Sequence, residues 1–331
     1  MKAVRVRACG RVDLAGGSLD LWPIGLLVPG SMTVNAALDL RAEAILKKDG
    51  GEGVRLTSAS LGADYRWKPG DAPGPLALLE RYCAAFGVTG GWHLATGSAI
   101  PPGSGLGGSS ALSVAVASAL ETASGRRFSA EALVSLCRDV EAAHLRIPTG
   151  VQDFWPAIHG GALALHYEPG GERVESLRVD LEAFGGRLVV AYSGQSRISA
   201  GTNWALVRRF LDGDGETARR LEGIADAARS MREALLAGDW VEAGNLLAKE
   251  WFLRKGLAEG IETPVLKSLC EAALAAGALG GKACGAGGGG CLAFLVREGA
   301  RWDVERALEA CGARILAAPP SAEGLAVEVV P

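Results

Sequence analysis

Histidine is scarce in this chain, four in 331 residues, and no C-x-x-C pair accompanies it, which argues against a structural zinc site. Basic charge is not in excess either. With 34 Lys and Arg against 37 Asp and Glu (net −3), no global positive field attracts nucleic acid or an anionic membrane, and any anion site must be local. No apolar run reaches the length of a membrane span, and MKAVRVRACG lacks the apolar core of a signal peptide. The cysteines (9, 83, 137, 270, 284, 291 and 311) are odd in number and mostly set in apolar runs. That pattern fits reduced, buried thiols in a reducing compartment better than a disulfide framework. The expectation is a cytoplasmic globular protein without internal repeats or long linkers.

What is present is an apolar fraction of 49% in a chain long enough for two domains. VRVRACGRVDLAGG alternates β-branched and polar residues before a glycine pair, as a strand running into a tight turn would. LRAEAILKK, VRLTSA, DYRWKP, WHLATGSAIPP, GALALHYEP and GRLVVAYSG also read as strands, and RIPTGVQDFWPAIHGG as irregular. LALLERYCAAFG, SALSVAVASALETAS and SAEALVSLCRDVEAAHL read as helices, the second apolar nearly all round and therefore expected to be buried. From about residue 200 the chain turns helical, then closes with CLAFLV, one more helix and AVEVV. This change of texture suggests domains at 1–185 and 186–331.

The stretch PPGSGLGGSSALSVAVASAL (101–120) sets Gly103, Gly105, Gly107 and Gly108 immediately before a helix. Glycine lets a backbone close around phosphate oxygens, and serines at a helix start can cap N–H groups that otherwise attract anions. Taken alone, the loop is equally a solvated turn with a good cap. Two familiar phosphate motifs almost fit. Gly103, Gly105 and Gly108 spell G-x-G-x-x-G, but Pro101 and Pro102 interrupt the approach from the strand, and Glu121, about 20 residues on, lies within a helix. A nicotinamide dehydrogenase is disfavoured. Gly103 and Gly108 also give G-x-x-x-x-G, yet Ser109 stands where a Walker lysine belongs.

With these residues in view, the stretch resembles the phosphate loop of the GHMP kinases, the superfamily of galactokinase, homoserine kinase, mevalonate kinase and phosphomevalonate kinase. Pro101 or Pro102, Gly105, Leu106, Ser109, Ser110 and Ala111 satisfy P-x-x-x-G-L-x-S-S-A with one additional glycine. CGRVDLAGGSLDL near the start and GGKACGAGGGGCLAFLV near the end follow the family's order, so the resemblance spans nearly the whole chain. It implies a two-domain α/β (α+β) fold, with an N-terminal ribosomal-S5-like domain and a C-terminal ferredoxin-like domain. It further implies an ATP- and Mg²⁺-dependent kinase. In such an enzyme Pro102, Gly103, Ser104, Gly105, Leu106, Gly107, Gly108, Ser109 and Ser110 hold ATP, and the late glycine run packs beside that loop in support.

Phosphoryl transfer needs charge neutralisation and an oriented hydroxyl more than covalent work by the protein. By resemblance, Ser110 and Glu141 would hold Mg²⁺, Asp153 would be the catalytic aspartate, and Arg11 would lie close to the transferred phosphate. TGVQDFWPAIHGG looks like the family's G-x-x-D-Q segment with Phe154 replacing the usual glutamine. Asp20 matches an aspartate that binds sugar hydroxyls, while Gly17 and Ser18 replace the Glu and His of galactokinase. That departure, with AGGSLDL and AGALGGKACGAGGGG, reads closer to kinases of heptose 7-phosphate and fucose. Arg197 in SGQSRIS either meets a substrate phosphate or an acidic group or lies in solvent, and one tryptophan either stacks on adenine or packs in the core. The expected partner is therefore a sugar or sugar phosphate, with no nucleic acid and no membrane; a homodimer stays open. A mevalonate-type kinase is the nearest alternative. A catalytically silent nucleotide- or sugar-binding regulator is the other, against which Ser110, Glu141 and Asp153 together argue.

Overall fold

The computed structural model describes residues 3–195 and 200–330. A first sheet of eight strands contains β1 (Ala3–Ala15), β2 (Met32–Lys48), β3 (Val54–Ser58), β4 (Ala63–Trp67), β5 (Trp92–Ser98), β6 (Ala162–Glu168) and β7 (Gly171–Leu177). A second sheet contains β8 (Leu188–Tyr192), β9 (Ala278–Ala283), β10 (Cys291–Val296) and β11 (Arg314–Leu316). The last strand, β12 (Ala326–Val330), crosses back to the first sheet and pairs antiparallel with β1, from Ala3 opposite Val330 to Arg7 opposite Ala326. Helices α1 (Ile24–Leu27), α2 (Ala77–Phe86), α3 (Gly108–Ser124), α4 (Ala130–Leu145) and α5 (Phe154–His159) lie between strands of the first sheet. They are followed by α6 (Leu181–Arg187), α7 (Ala200–Leu211), α8 (Gly215–Ala237), α9 (Trp240–Lys255), α10 (Pro264–Ala275) and α11 (Arg301–Ala310).

The first sheet is mixed, its order β12-β1-β2-β5-β3-β4 containing one parallel pair, β3 with β5; β6 pairs with β2, and β7 with β6. The second sheet is antiparallel in the order β11-β8-β10-β9. Counted from β8, that is the fourth-first-third-second arrangement of a ferredoxin-like unit, as expected. The protein is thus a two-domain mixed α/β structure. We keep the proposed division after residue 185; it falls inside α6, just before the second sheet starts, and β12 is the piece of the later segment that belongs to the earlier sheet.

Burial explains how β1 reaches the site. Its first half alternates half-buried with buried residues, whereas from Ala8 onward every residue is buried. α3, α5, α8 and α9 all contact β1, so its second half has cover on both faces. α3 buries nearly its whole circumference (Ser110, Ala111 and Ser113–Leu120), as its composition predicts.

Two local readings are corrected, and two strands went unread in the sequence. β2 begins well before LRAEAILKK, because its buried N-terminal half, Met32–Leu38, pairs with β1 and β6. The segment read as irregular contains α5, whose Phe154, Trp155, Pro156 and Ala157 are buried. ALGGKA becomes β9 because Gly280 packs against the α9 backbone, where a Cβ would stand 1.9 Å from the Gly244 carbonyl oxygen. The polar hairpin partner β7 carries no strong alternation and is held by β6.

Candidate active site

A cleft of about 600 Å³ opens where the glycine loop, the end of β1 and the segment before α5 converge with α9 and the late glycine run. It is lined by Arg11, Ser18, Asp20, residues 103–105 and 107–110, Glu141, Gln152, Asp153 and Arg254. Chain segments distant in sequence therefore meet at one place.

α3 begins here without a side-chain cap. Gly107 holds the N-cap position with φ 73°, and no side chain bonds the first-turn amides, which corrects the expectation that a serine caps this helix. The left-handed φ is what favours glycine here; a Cβ would meet Arg11 Cγ at 3.4 Å and Asp153 Cγ at 3.5 Å, ordinary contact distances. Ala111 N–H closes the first helical bond to the Gly107 carbonyl at 2.9 Å. Among the described residues, the N–H groups of Gly108, Ser109 and Ser110 have no intramolecular acceptor, the condition that makes a helix start an anion site.

Arg11, from β1, lies directly beneath. Its Nε donates to Asp153 Oδ1 at 2.9 Å, its Nη2 is 2.6 Å from the same oxygen, and its Nη1 donates to the Gly105 carbonyl at 2.5 Å. Burial works against its charge, but Asp153 and Asp13 outweigh that effect and hold the guanidinium above the ordinary arginine range. Asp153 occupies the N-cap position of α5 yet makes no capping bond; its carboxylate is turned to Arg11 instead, and Oδ2 stays outside the pair. Glu141, on α4, accepts from Ser109 Oγ at 2.7 Å. Burial, reinforced by Asp153, pushes its carboxyl up to about 7 against the Ser109 bond. Ser110, expected beside Glu141, lines the same cleft, but it is the Ser109 hydroxyl that reaches the carboxylate.

Two loop residues hold the site from behind. Leu106 is fully buried in the core, and its carbonyl accepts from Arg11 N–H at 2.9 Å, so it anchors the loop and does not line the cleft. Ser104 accepts at its carbonyl from Cys291 N–H at 2.7 Å. At Gly290 (φ 77°) a Cβ would stand 2.7 Å from the Ser104 carbonyl oxygen, so the late glycine run packs on the phosphate loop as expected.

On the opposite side, Asp20 accepts at Oδ2 from Gln152 N–H and at Oδ1 from Gln152 Nε2, each at 3.3 Å. Burial, then the nearby Asp153, pushes its carboxyl up to about 6 against the Gln152 amide. Ser18 adopts φ 70° and accepts from Arg254 Nη1 at 3.4 Å. Gly17, expected to touch substrate, faces Arg254 instead: a Cβ there would stand 1.8 Å from Nη2. Arg197 lies outside the described residues. No tryptophan is among the cleft-lining residues described; Trp67 and Trp155 are buried, and Trp22 and Trp204 exposed.

Sequence reasoning missed Gln152 and Arg254, and with Arg254 a buried charge cluster. Lys282 Nζ lies 2.7 Å from Asp13 and 3.0 Å from Glu250, while Arg254 bonds Glu250 through Nη2 at 2.6 Å and Nε at 2.9 Å. Asp13 also accepts from Gly285 N–H at 3.0 Å. Burial opposes the charge of Asp13, but Lys282, Arg11 and Arg254 outweigh it and hold the carboxyl well below its usual range. The cluster ties β1 to α9, β9 and the late glycine run. Gln152 was signalled by its place beside Asp153; nothing in the pattern of α9 marks Arg254.

An open helix start for an anion, a buried arginine paired to an aspartate beneath it and further buried carboxylates around them are the equipment of a phosphoryl-transfer enzyme. Residues 75–161 match the GHMP kinases N terminal domain, and residues 231–314 the GHMP kinases C terminal domain. The chain is 32% identical over 318 residues to the mevalonate kinase of Aeropyrum pernix, covering 93% of this chain and 92% of that one. To the D-glycero-alpha-D-manno-heptose 7-phosphate kinase of Campylobacter jejuni it is 29% identical over 324 residues, covering 93% and 94%. The fold is shared with Lactococcus lactis galactokinase in complex with galactose, at TM-score 0.80 and 19% identity over 98% of this chain and 95% of that one. The chain belongs to the GHMP kinase family. It is a phosphotransferase acting on a hydroxyl group, in a family whose phosphate donor is ATP.

Proposed function

We propose that this kinase transfers the γ-phosphate of ATP to a hydroxyl of a sugar or sugar phosphate. The observation that carries the reading is the Arg11–Asp153 pair beneath the uncapped start of α3, with the Asp20 carboxylate in the same cleft. The open amides of residues 108–110 bind phosphate oxygens, with Pro102, Gly103, Ser104, Gly105 and Gly107 forming the rim. Asp153 Oδ2 takes the proton of the acceptor hydroxyl as its oxygen bonds to the γ-phosphorus and the bond to ADP breaks. Arg11 pairs with Asp153 Oδ1, leaving Oδ2 turned to the acceptor, and offsets charge on the transferring group. Asp20 and Ser18 bind the acceptor, since an aspartate with free lone pairs suits a polyol's hydroxyls.

The donor set fits magnesium. Glu141 is a buried carboxylate whose raised pKa marks a charge without a compensating cation, and Ser109 and Ser110 add hydroxyls beside it. Hard oxygen donors in small number, completed by phosphate oxygens and water, are what Mg²⁺ takes. Bound there, it would neutralise charge on the nucleotide's phosphates. The cytoplasm is the proposed compartment: the five cysteines at 9, 83, 137, 284 and 291 are buried and no disulfide forms among the described residues, although Cys270 is half-buried and Cys311 exposed. Among the described residues no helix is long and apolar enough to cross a membrane.

The identity to Aeropyrum pernix mevalonate kinase favours a second reading, a mevalonate-type kinase. ADP release measured with D-galactose, L-fucose, D-mannose, D-glycero-D-manno-heptose 7-phosphate and mevalonate separates the two. Turnover of a polyol supports the first reading, and turnover of mevalonate alone replaces it with the second.

A further inference from the structure

Gln152 belongs to the segment before α5, and Asp20 to the turn after β1, 132 residues away. Both donors of Gln152 converge on the same carboxylate, one on each oxygen. The glutamine is itself held: Asn35 Nδ2, from β2, donates to its carbonyl at 3.1 Å, and the residue is 8% exposed. Gly150 completes the grip, because a Cβ there would stand 1.7 Å from Asp20 Oδ2; only a bare backbone can come so close. Asp20 is thus fixed in orientation by the residue that immediately precedes Asp153. An ionised carboxylate has about four lone-pair positions, of which Gln152 uses two, so each oxygen keeps one for a ligand.

We propose that Gln152 is a positioning residue for acceptor recognition: it holds the Asp20 carboxylate in the plane in which its two remaining lone pairs accept from two neighbouring hydroxyls of a polyol. The inference rests on the reading of Asp20 as an acceptor-binding group. It makes the spacing between bound hydroxyls and the proton-accepting Asp153 a property of one short segment, Gly150–Asp153. The amide oxygen Oε1 of Gln152 is buried without a partner, which fits a side chain oriented for its donors.

The test compares wild type with Gln152→Met, near-isosteric but without donors, and Gln152→Lys, whose ammonium donates with full charge. With the polyol turned over fastest in the acceptor panel, Gln152→Met raises the acceptor KM about tenfold and leaves the ATP KM within about twofold, the loss of a hydrogen bond to a charged group. The charged and titratable neighbours Arg11, Asp153, Arg254 and Tyr167 stay in place in both variants. The acidic limb of kcat/KM against pH therefore moves up in Gln152→Met and down in Gln152→Lys. A merely structural glutamine would not move the limb in opposite directions. Acceptor KM within about twofold of wild type in Gln152→Met, with an unmoved limb, overturns the inference and leaves the kinase reading standing. Turnover of mevalonate alone, or of no acceptor, by the wild type overturns the polyol reading and the inference with it. Should Gln152→Met melt below the assay temperature, Gln152→Asn, whose amide is one methylene too short to reach Asp20, takes its place with the same expected rise in acceptor KM and upward limb, and the same null result overturns the inference.

Discussion

Replacing Lys282 by methionine removes one member of the buried cluster and nearly conserves its volume. Asp13 and Glu250 then rely on Arg254, which bonds Glu250 closely but stands 3.8 Å from Asp13, while Arg11 acts on Asp13 only at longer range. Lys282, Asp13 and Glu250 side chains have no solvent exposure, so water cannot replace the lost partner. Removing one partner of a buried ion pair costs about 3–5 kcal/mol, because the remaining charge keeps its desolvation cost. At about 2–4 °C per kcal/mol, the melting temperature falls by about 6–20 °C. Urea denaturation followed by circular dichroism reads the change as a lower midpoint at unchanged slope. The companion Lys282→Met/Asp13→Asn restores charge balance with one acid and one cation, and recovers about 1–3 kcal/mol relative to the sum of the single changes. A loss below about 1 kcal/mol in Lys282→Met, or additive costs in the double variant, would refute the view that charge balance holds β1 to α9.

Asp153→Asn keeps the shape of the site and removes the proton acceptor, so turnover falls by about 10²–10⁴-fold while ADP binding by calorimetry stays within about threefold; undiminished turnover would remove Asp153 from the mechanism. Asp20 is pushed up to about 6 from 3.8, so the unfolded chain releases this proton first and stability is lost as pH rises through about 4 to 6. Asp20→Asn therefore gains about 3 kcal/mol at pH 8 and next to nothing at about pH 3, read by thermal melts at both values. Glu141→Gln weakens Mg²⁺ dependence, raising the concentration for half-maximal rate about tenfold or more, and unchanged metal titrations would count against this ligand. Gly290→Ala adds a Cβ at 2.7 Å from the Ser104 carbonyl oxygen and about 1–2 kcal/mol of left-handed strain; ADP binding weakens because the phosphate loop is displaced.

Much of the site was legible in the chain because its chemistry is local. The glycines of 103–108 and the adjoining apolar helix lie in short segments whose conformations follow from φ preference and periodicity, whereas the acids at 141 and 153 were marked only by the family resemblance and the segment around Asp153 read as irregular. What was read poorly depends on partners far away. ALGGKA has no strand propensity of its own and extends because β10 and α9 flank it, and AVEVV reads as a strand without revealing that β1 receives it.

The amino-acid order by itself determined the buried α3 and the glycine loop before it, since backbone freedom and apolar periodicity act over a few residues; the acids stood out only through the family resemblance. Tertiary structure alone decided that Ser109 meets Glu141, that Gly107 leaves the helix start open, that Gln152 grips Asp20, and that Asp13, Glu250, Arg254 and Lys282 neutralise one another. Those pairings join residues as much as 269 positions apart, and only packing of the two domains brings their charges out of water and within reach.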